Sequence, residues 1–265
     1  YVSVTPSMEE SGLAKINLHP DDWRDPADRV PYLEALAPEV LAGDPLSFSA
    51  LLELPLRLRP RALLCTSMAL FPGLRSELEN WFGCPVLDLY SMSEAGPIAV
   101  ADESASGHVL LQHCLYVEIL DAEGTALPPG QRGEITLTGG FNDCLPLLRY
   151  RTGDYAALHF DGPEPVLVGL SGRPPVRFRT HAGEWLNNLE VTHTLGRFAL
   201  AQFALHQDAA GGLHLRLCRG HHDQNAIAQA LRKLFGSEVT LEIQDLPELT
   251  DKLVQYTSDL AGAQP

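Results

Sequence analysis

Four short stretches of the 265-residue chain hold side chains whose types and spacing suit chemistry on a small ligand. The first, Tyr90-Ser91-Met92-Ser93-Glu94-Ala95-Gly96, directly follows an apolar run, which puts it at the carboxyl end of a strand, where open α/β sheets bind ligands. There an aromatic ring can stack on a base, a hydroxyl can bind a phosphate oxygen, and a carboxylate can hold magnesium. The same residues suit a plain turn with a capping serine, and the flanking glycines of a hydrolase nucleophile elbow are missing. In Arg149-Tyr150-Arg151-Thr152-Gly153-Asp154, strand residues lead through a glycine turn to an acid able to accept two hydrogen bonds from a ribose diol; a surface strand of alternating charge is the plainer reading. Gly172-Arg173 presents a guanidinium at a glycine bend, a match for phosphate or ribose oxygens. Lys252, in Thr250-Asp251-Lys252, is one of three lysines against sixteen arginines, although a lysine so near a terminus is ordinarily just solvated.

The elements that must carry these residues follow from periodicity and punctuation. Tyr1 to about Asp28 is polar, contains Pro6, Gly12, Pro20 and Pro26, and reads as a connector or the remnant of an interrupted domain. After Pro45 the pattern predicts a short helix, Ser47–Leu54, capped by Ser47. Arg61–Thr66 reads as a buried strand. A helix then starts at Pro72, places Leu74, Leu78, Trp81 and Phe82 on one face, and ends at Gly83. Val86–Tyr90 is a second strand, so the order is that of a crossover unit with parallel strands. From His108 onward the pattern turns to β, with Val109–Leu111, Tyr116–Leu120, Gly133–Thr138, Leu147–Tyr150, Tyr155–His159 and Val166–Leu170 as a small, largely antiparallel unit. A boundary at Gly172 separates residues 1–171 from 172–265. The second part holds a helix near Asn187–Phe198, a hairpin from Leu200–Gln207 to Leu213–Arg219, a helix at Asp223–Phe235 with Ile227, Leu231 and Leu234 on one face, and a strand at Glu238–Ile243.

Composition narrows the partners. Thirty-four acidic against nineteen basic side chains give a formal charge of −15, which repels phosphate backbones and anionic membrane faces and argues against nucleic acid. No apolar run approaches the roughly 20 residues of a membrane helix, and no signal pattern opens the chain, so a cytoplasmic location is expected. Five scattered cysteines without a C-x-x-C read as reduced thiols. His206 and His214 face each other across the expected hairpin with His221 and His222 nearby, a metal pair in one reading and surface histidines in the plainer one. The start at Tyr1 rather than methionine reads as a chain cut from something longer.

Taken together, the motifs resemble the adenylate-forming superfamily of acyl-CoA synthetases, non-ribosomal peptide adenylation domains and luciferases, and within it the phenylacetate-CoA ligase-like branch. Tyr90–Glu94 is similar to the family's Y-G-x-T-E motif, with Ser91 for its glycine and Ser93 for its threonine. Cys65–Pro72 resembles the S-G-E-P-L-S-P segment, with Ser67 at the glycine, and Pro38–Ser47 resembles a P-x-V-L-x-G-Y-P-S segment. Tyr150–Asp154 matches Y-R-T-G-D in full. The resemblance, spanning about Pro38 to Lys252, implies the C-terminal part of a large adenylate-forming domain, α/β with crossover strands and a small β unit, followed by a small α+β lid. It implies ATP or AMP held by Met68, Asp88, Tyr90, Ser91, Ser93 and Asp154, with magnesium on Glu94. Catalytic roles fall to Glu94, Arg173 and Lys252.

Three departures accompany the match. The family's glycine- and hydroxyl-rich phosphate loop has no counterpart in Tyr1–Ala37; Pro174 and Pro175 stand where the hinge commonly carries an acid; and Asp251 replaces the glycine before the final lysine. The implied reaction is activation of an aryl or fatty carboxylic acid as its acyl-adenylate, followed by transfer to coenzyme A or a carrier-protein thiol. The alternative is a degenerate, non-catalytic relative that binds a nucleotide or a protein partner.

Overall fold

A computed structural model describes the backbone of residues 2–4 and, in full, residues 12–101, 107–111, 114–140, 144–160, 164–172, 176–218, 220, 222–246 and 253–263. The N-terminal stretch is more ordered than its composition suggests. Strands β1 (Val2–Val4) and β2 (Ala14–Ile16) pair antiparallel, and 3-10 turns at Pro20–Asp22 and Pro26–Asp28 lead into helix α1 (Arg29–Leu36). Next come β3 (Val40–Gly43), α2 (Pro45–Leu52), β4 (Ala62–Cys65), α3 (Pro72–Phe82) and β5 (Val86–Met92). β3, β4 and β5 run parallel, so the crossover expected across α3 is present.

The cap of α2 differs from expectation. Asp44, not Ser47, is the N-cap: its Oδ1 accepts the Ser47 backbone N–H at 2.7 Å, and Pro45 fills the first helical position, where a missing N–H costs nothing. In α3, Leu74, Leu78 and Phe82 are buried against the sheet, whereas Trp81 is turned outward and 45% exposed.

Six further strands follow: β6 (Gly96–Ala101), β7 (His108–Leu110), β8 (Leu115–Leu120), β9 (Arg132–Gly139), β10 (Leu147–His159) and β11 (Val166–Gly172). Every pairing among them is antiparallel, as is that of β5 with β6. Among the described residues β3 to β11 make one nine-stranded sheet, ordered β3-β4-β5-β6-β7-β11-β10-β9-β8. The two strands expected at Leu147–Tyr150 and Tyr155–His159 are one long strand, β10, bent at Y-R-T-G-D. Leu63, Leu74, Leu78 and Phe82 centre the core under the parallel part, and Ile98, Ile135, Leu137 and Leu167 the core of the antiparallel part.

The remaining elements are a hairpin, β12 (Arg177–Arg179) with β13 (Trp185–Asn187), then α4 (Asn188–Leu195), β14 (Phe203–Gln207), β15 (Leu213–Leu217), α5 (Gln224–Phe235), β16 (Leu241–Asp245) and β17 (Tyr256–Ser258). β16-β15-β14-β17 form a second sheet whose inner face is covered by α4 and α5. Asn187 and Glu190 close a capping box on α4, and Asp223 caps α5. Phe235, rather than Leu234, is the fully buried residue of the last turn of α5, and the final expected strand lies later, at Leu241–Asp245. Phe71, just ahead of α3, belongs to this second core, its ring centroid 5.2 Å from that of Phe203. Gly73 N–H donates to the Gly196 carbonyl at 2.8 Å, so the start of α3 is fastened to the C-terminal elements. Among the described residues no helix is long and apolar enough to cross a membrane.

Candidate functional site

The bend in β10 is built before it is used. Register shifts fall between Leu147 and Tyr150 and between Arg151 and Tyr155, and Gly153 takes φ +78°, a region that glycine enters without steric cost. Glu134 of β9, only 8% exposed, holds the bend: Oε2 accepts from Arg151 Nε at 2.6 Å and Oε1 from the Gly153 backbone N–H at 3.0 Å. Thr152 donates its hydroxyl proton to the Ile135 carbonyl at 2.9 Å and accepts the Asp154 N–H at 3.0 Å. Arg151, Thr152 and Gly153 thus shape the strand, and Asp154 is the side chain the bend presents.

Tyr90 meets that carboxylate, its hydroxyl donating to Asp154 Oδ2 at 2.7 Å. Burial, followed by the neighbouring Asp154 charge, pushes the phenol far above its usual range, so Tyr90 stays a neutral donor. Gly172, opposite Asp154 in the β10–β11 register, borders the other oxygen; a Cβ there would lie 3.2 Å from Asp154 Oδ1. A second bond crosses the same gap, with the Tyr150 hydroxyl 3.5 Å from Glu94 Oε1 in the turn between β5 and β6. Three of the four sequence motifs, at Tyr90–Glu94, Tyr150–Asp154 and Gly172, therefore converge.

The other expected site residues fall as follows. Ser91 and Met68 are half-buried and Ser93 is exposed. Asp88, two residues before Tyr90 on β5 and 8% exposed, has its Oδ2 3.1 Å from His108 Nε2 of β7, within hydrogen-bond reach. Ser67, at the family's glycine position, holds φ +71°. Arg173 and Lys252 lie outside the described residues. Cys65 is fully buried, and desolvation together with the nearby Asp88 charge lifts its thiol to about 12, which removes it as a nucleophile.

Among the described residues the histidines do not gather as a metal centre would need. His206 and His214 do pair across β14 and β15, but His206 Nδ1 lies 2.9 Å from Thr257 Oγ1 and His214 bridges Asp208 and Glu242 at 3.1 and 3.0 Å. His222 Nε2 lies 2.9 Å from the Cys218 carbonyl, His221 is outside the described residues, and no group of three ligating side chains converges among those described. Sequence reasoning missed Glu134, Tyr150 as a donor to Glu94, and His108. A single acid inside the apolar run Gly133–Leu137 was the available signal for Glu134, since a buried carboxylate needs a partner.

The family described as AMP-binding enzyme matches residues 11–142. Phenylacetate-coenzyme A ligase of Pseudomonas putida is 37% identical over 89 residues, 32% of this chain and 20% of that enzyme. Its counterpart in Escherichia coli is 35% identical over 90 residues, 32% of this chain and 21% of that enzyme. Among solved structures, a 2-hydroxyisobutyryl-CoA ligase in complex with 2-HIB-AMP superposes with a TM-score of 0.68 at 20% identity, over 88% of this chain and 57% of that one. An anthranilate CoA ligase in complex with anthranoyl-AMP gives 0.59 at 15% identity, over 86% and 50%. The chain belongs to the AMP-binding, adenylate-forming superfamily. Within it, the chain sits with the phenylacetate-CoA ligase-like branch. It spans little more than half the length of the solved relatives, and its matched segment covers about a fifth of the curated ones.

Proposed function

We propose that the chain carries nucleotide-binding machinery of an enzyme that activates a carboxylic acid, aryl or fatty, as its acyl-adenylate and passes the acyl group to the thiol of coenzyme A or a carrier protein, in the cytoplasm. The observation that carries the reading is the convergence of Tyr90 and Asp154 from segments 64 residues apart, with Gly172 beside them. A phenol ring next to a fixed carboxylate fits a nucleoside: the ring offers a face for adenine and Asp154 accepts from the ribose diol. Ser91 and Ser93 supply hydroxyls for phosphate oxygens, and Met68 an apolar wall. Glu94, a partly exposed oxygen donor in a turn, suits magnesium, which when bound neutralises phosphate charge. The substrate carboxylate attacks the α-phosphorus of ATP, a new P–O bond forms, and the bond to the leaving pyrophosphate breaks. Arg173 and Lys252, by resemblance, stabilise charge on the nucleotide and on the reacting carboxylate.

A second reading, a relative that binds nucleotide without catalysis, is favoured by Ser67, a non-glycine residue in left-handed backbone where the family pattern has glycine. Two measurements separate them: calorimetric titration with AMP, and exchange of labelled pyrophosphate into ATP across a broad acid panel. Binding together with exchange that Lys252→Ala abolishes is the expected result. Binding without exchange selects the second reading, and neither binding nor exchange overturns both.

A further inference from the structure

The hydrogen bond between Tyr90 and Asp154 spans more of the sheet than its length suggests. β5 and β10 are separated by β6, β7 and β11, so in a flat sheet at about 4.8 Å per strand they would stand roughly 19 Å apart. A 2.7 Å contact therefore requires the sheet to curl until its strands face one another across the site. Two bonds close that gap, and they are reciprocal: the tyrosine of each motif reaches the acid of the other, Tyr90 to Asp154 and Tyr150 to Glu94. Stacking on a base needs only the ring, and phenylalanine would supply it as well. The hydroxyl of Tyr90 is left with another task.

We propose that the Tyr90 hydroxyl is a positioning group for the ribose-binding carboxylate, fixing the rotation of Asp154 so that its acceptors meet both hydroxyls of the sugar. The inference rests on the nucleotide-binding reading above and deepens it, by assigning discrimination for an intact ribose diol to a side chain that does not touch the diol. Asp154 Oδ2 is held by the phenol, and Oδ1 lies against the Gly172 backbone, with no room for a Cβ at ordinary contact distance. The phenol thus sets the carboxylate plane before any ligand arrives, with glycine at position 172 leaving Oδ1 uncrowded, which lowers the ordering cost of binding.

The test is calorimetric titration of the full chain with AMP and with 2′,3′-dideoxy-AMP, in wild type, Tyr90→Phe, Asp154→Ala and the double variant. Wild type is expected to prefer AMP over the dideoxy nucleotide by about tenfold, the scale of a hydrogen bond to a charged group. Tyr90→Phe should bring AMP close to the dideoxy value, leave the dideoxy nucleotide unchanged, and have no further effect in the Asp154→Ala background. Wild-type AMP affinity in Tyr90→Phe overturns the proposal, as does an equal loss for both nucleotides that persists without Asp154. Should Tyr90→Phe fail to fold, Gly172→Ala presses the same carboxylate from its other side. It should likewise erase ribose discrimination with Tyr90 intact, and retained discrimination there counts against the proposal. If wild type binds no AMP at all, the nucleotide-binding reading fails and the inference falls with it, a result distinct from failure of the hydroxyl's role alone.

Discussion

Ser67 offers a test in which two backbone effects of opposite sign compete. Its φ of +71° places a residue with a Cβ in the left-handed region, beside the start of α3, at the position where the family pattern has glycine. That conformation costs a non-glycine residue about 1–2 kcal/mol through the clash of Cβ with the following carbonyl. Replacing it with glycine relieves the clash but frees the unfolded chain, which returns about 0.5–1 kcal/mol. Relief is the larger effect, so Ser67→Gly should stabilise the protein by about 0.5–1 kcal/mol and raise its melting temperature by about 1–4 °C for a chain of this size. The Ser67 hydroxyl does little to change the balance, since its neighbour is the exposed Thr66 hydroxyl at 3.3 Å. Ser67→Ala keeps the strain and should stay within about 0.5 kcal/mol of wild type, while Ser67→Val, branched at Cβ, should fall below it. Thermal scans and urea midpoints on the three variants give the answer. A glycine variant that melts at or below wild type, with alanine beside it, would refute the argument that strain at this residue is paid in stability.

Other expectations follow from single contacts. A Cβ on Gly73 would lie 2.3 Å from the Phe198 backbone and 2.7 Å from the Arg197 carbonyl, so Gly73→Ala should destabilise by about 1–3 kcal/mol and open the C-terminal elements to limited proteolysis; unchanged cleavage would count against a tight docking there. In a thiol-labelling time course on native protein, exposed Cys114 and Cys144 should react first, and buried Cys65, its thiol lifted to about 12, only on unfolding. His214 is raised above its ordinary 6.5, chiefly by its hydrogen bond to Asp208, so its contribution to stability is fully present below that value and is lost as pH rises through the higher folded one. Asp208 and Glu242 are depressed, chiefly by hydrogen bonds from His214 and Gln244 respectively, so theirs is present above the ordinary carboxylate range and lost on acidification. The urea midpoint of wild type relative to His214→Gln should therefore decline from pH 6 toward pH 8, and a flat difference would remove the cluster from the account.

What was legible in the sequence was local. The β4-α3-β5 crossover announces itself because Pro72 and Gly83 bracket a helical repeat between two short apolar runs, and each signal acts within a few residues. β3 escaped because Val40-Leu41-Ala42 is an apolar run of only three residues between Pro38 and Gly43, too short to show a strand period, and β6 because Gly96-Pro97 reads as a turn. Asp44 and Ser47 are both competent caps by residue type, and only the Pro45 backbone decides between them. The site shows the same division at longer range. Y-R-T-G-D was readable as a motif, but not the reason for its letters, which lies on another strand: Glu134 needs Arg151 for charge and the Gly153 N–H for direction, and Ile135 needs Thr152. Three of the five residues answer to β9, and Tyr150 answers to Glu94. Asp154 is the acid that meets Tyr90, so in the proposed site a pattern of five residues encodes one nucleotide-binding acid and the four residues that aim it. A chain that kept Asp154 and lost Glu134 would keep the acid of the motif without the bend that presents it.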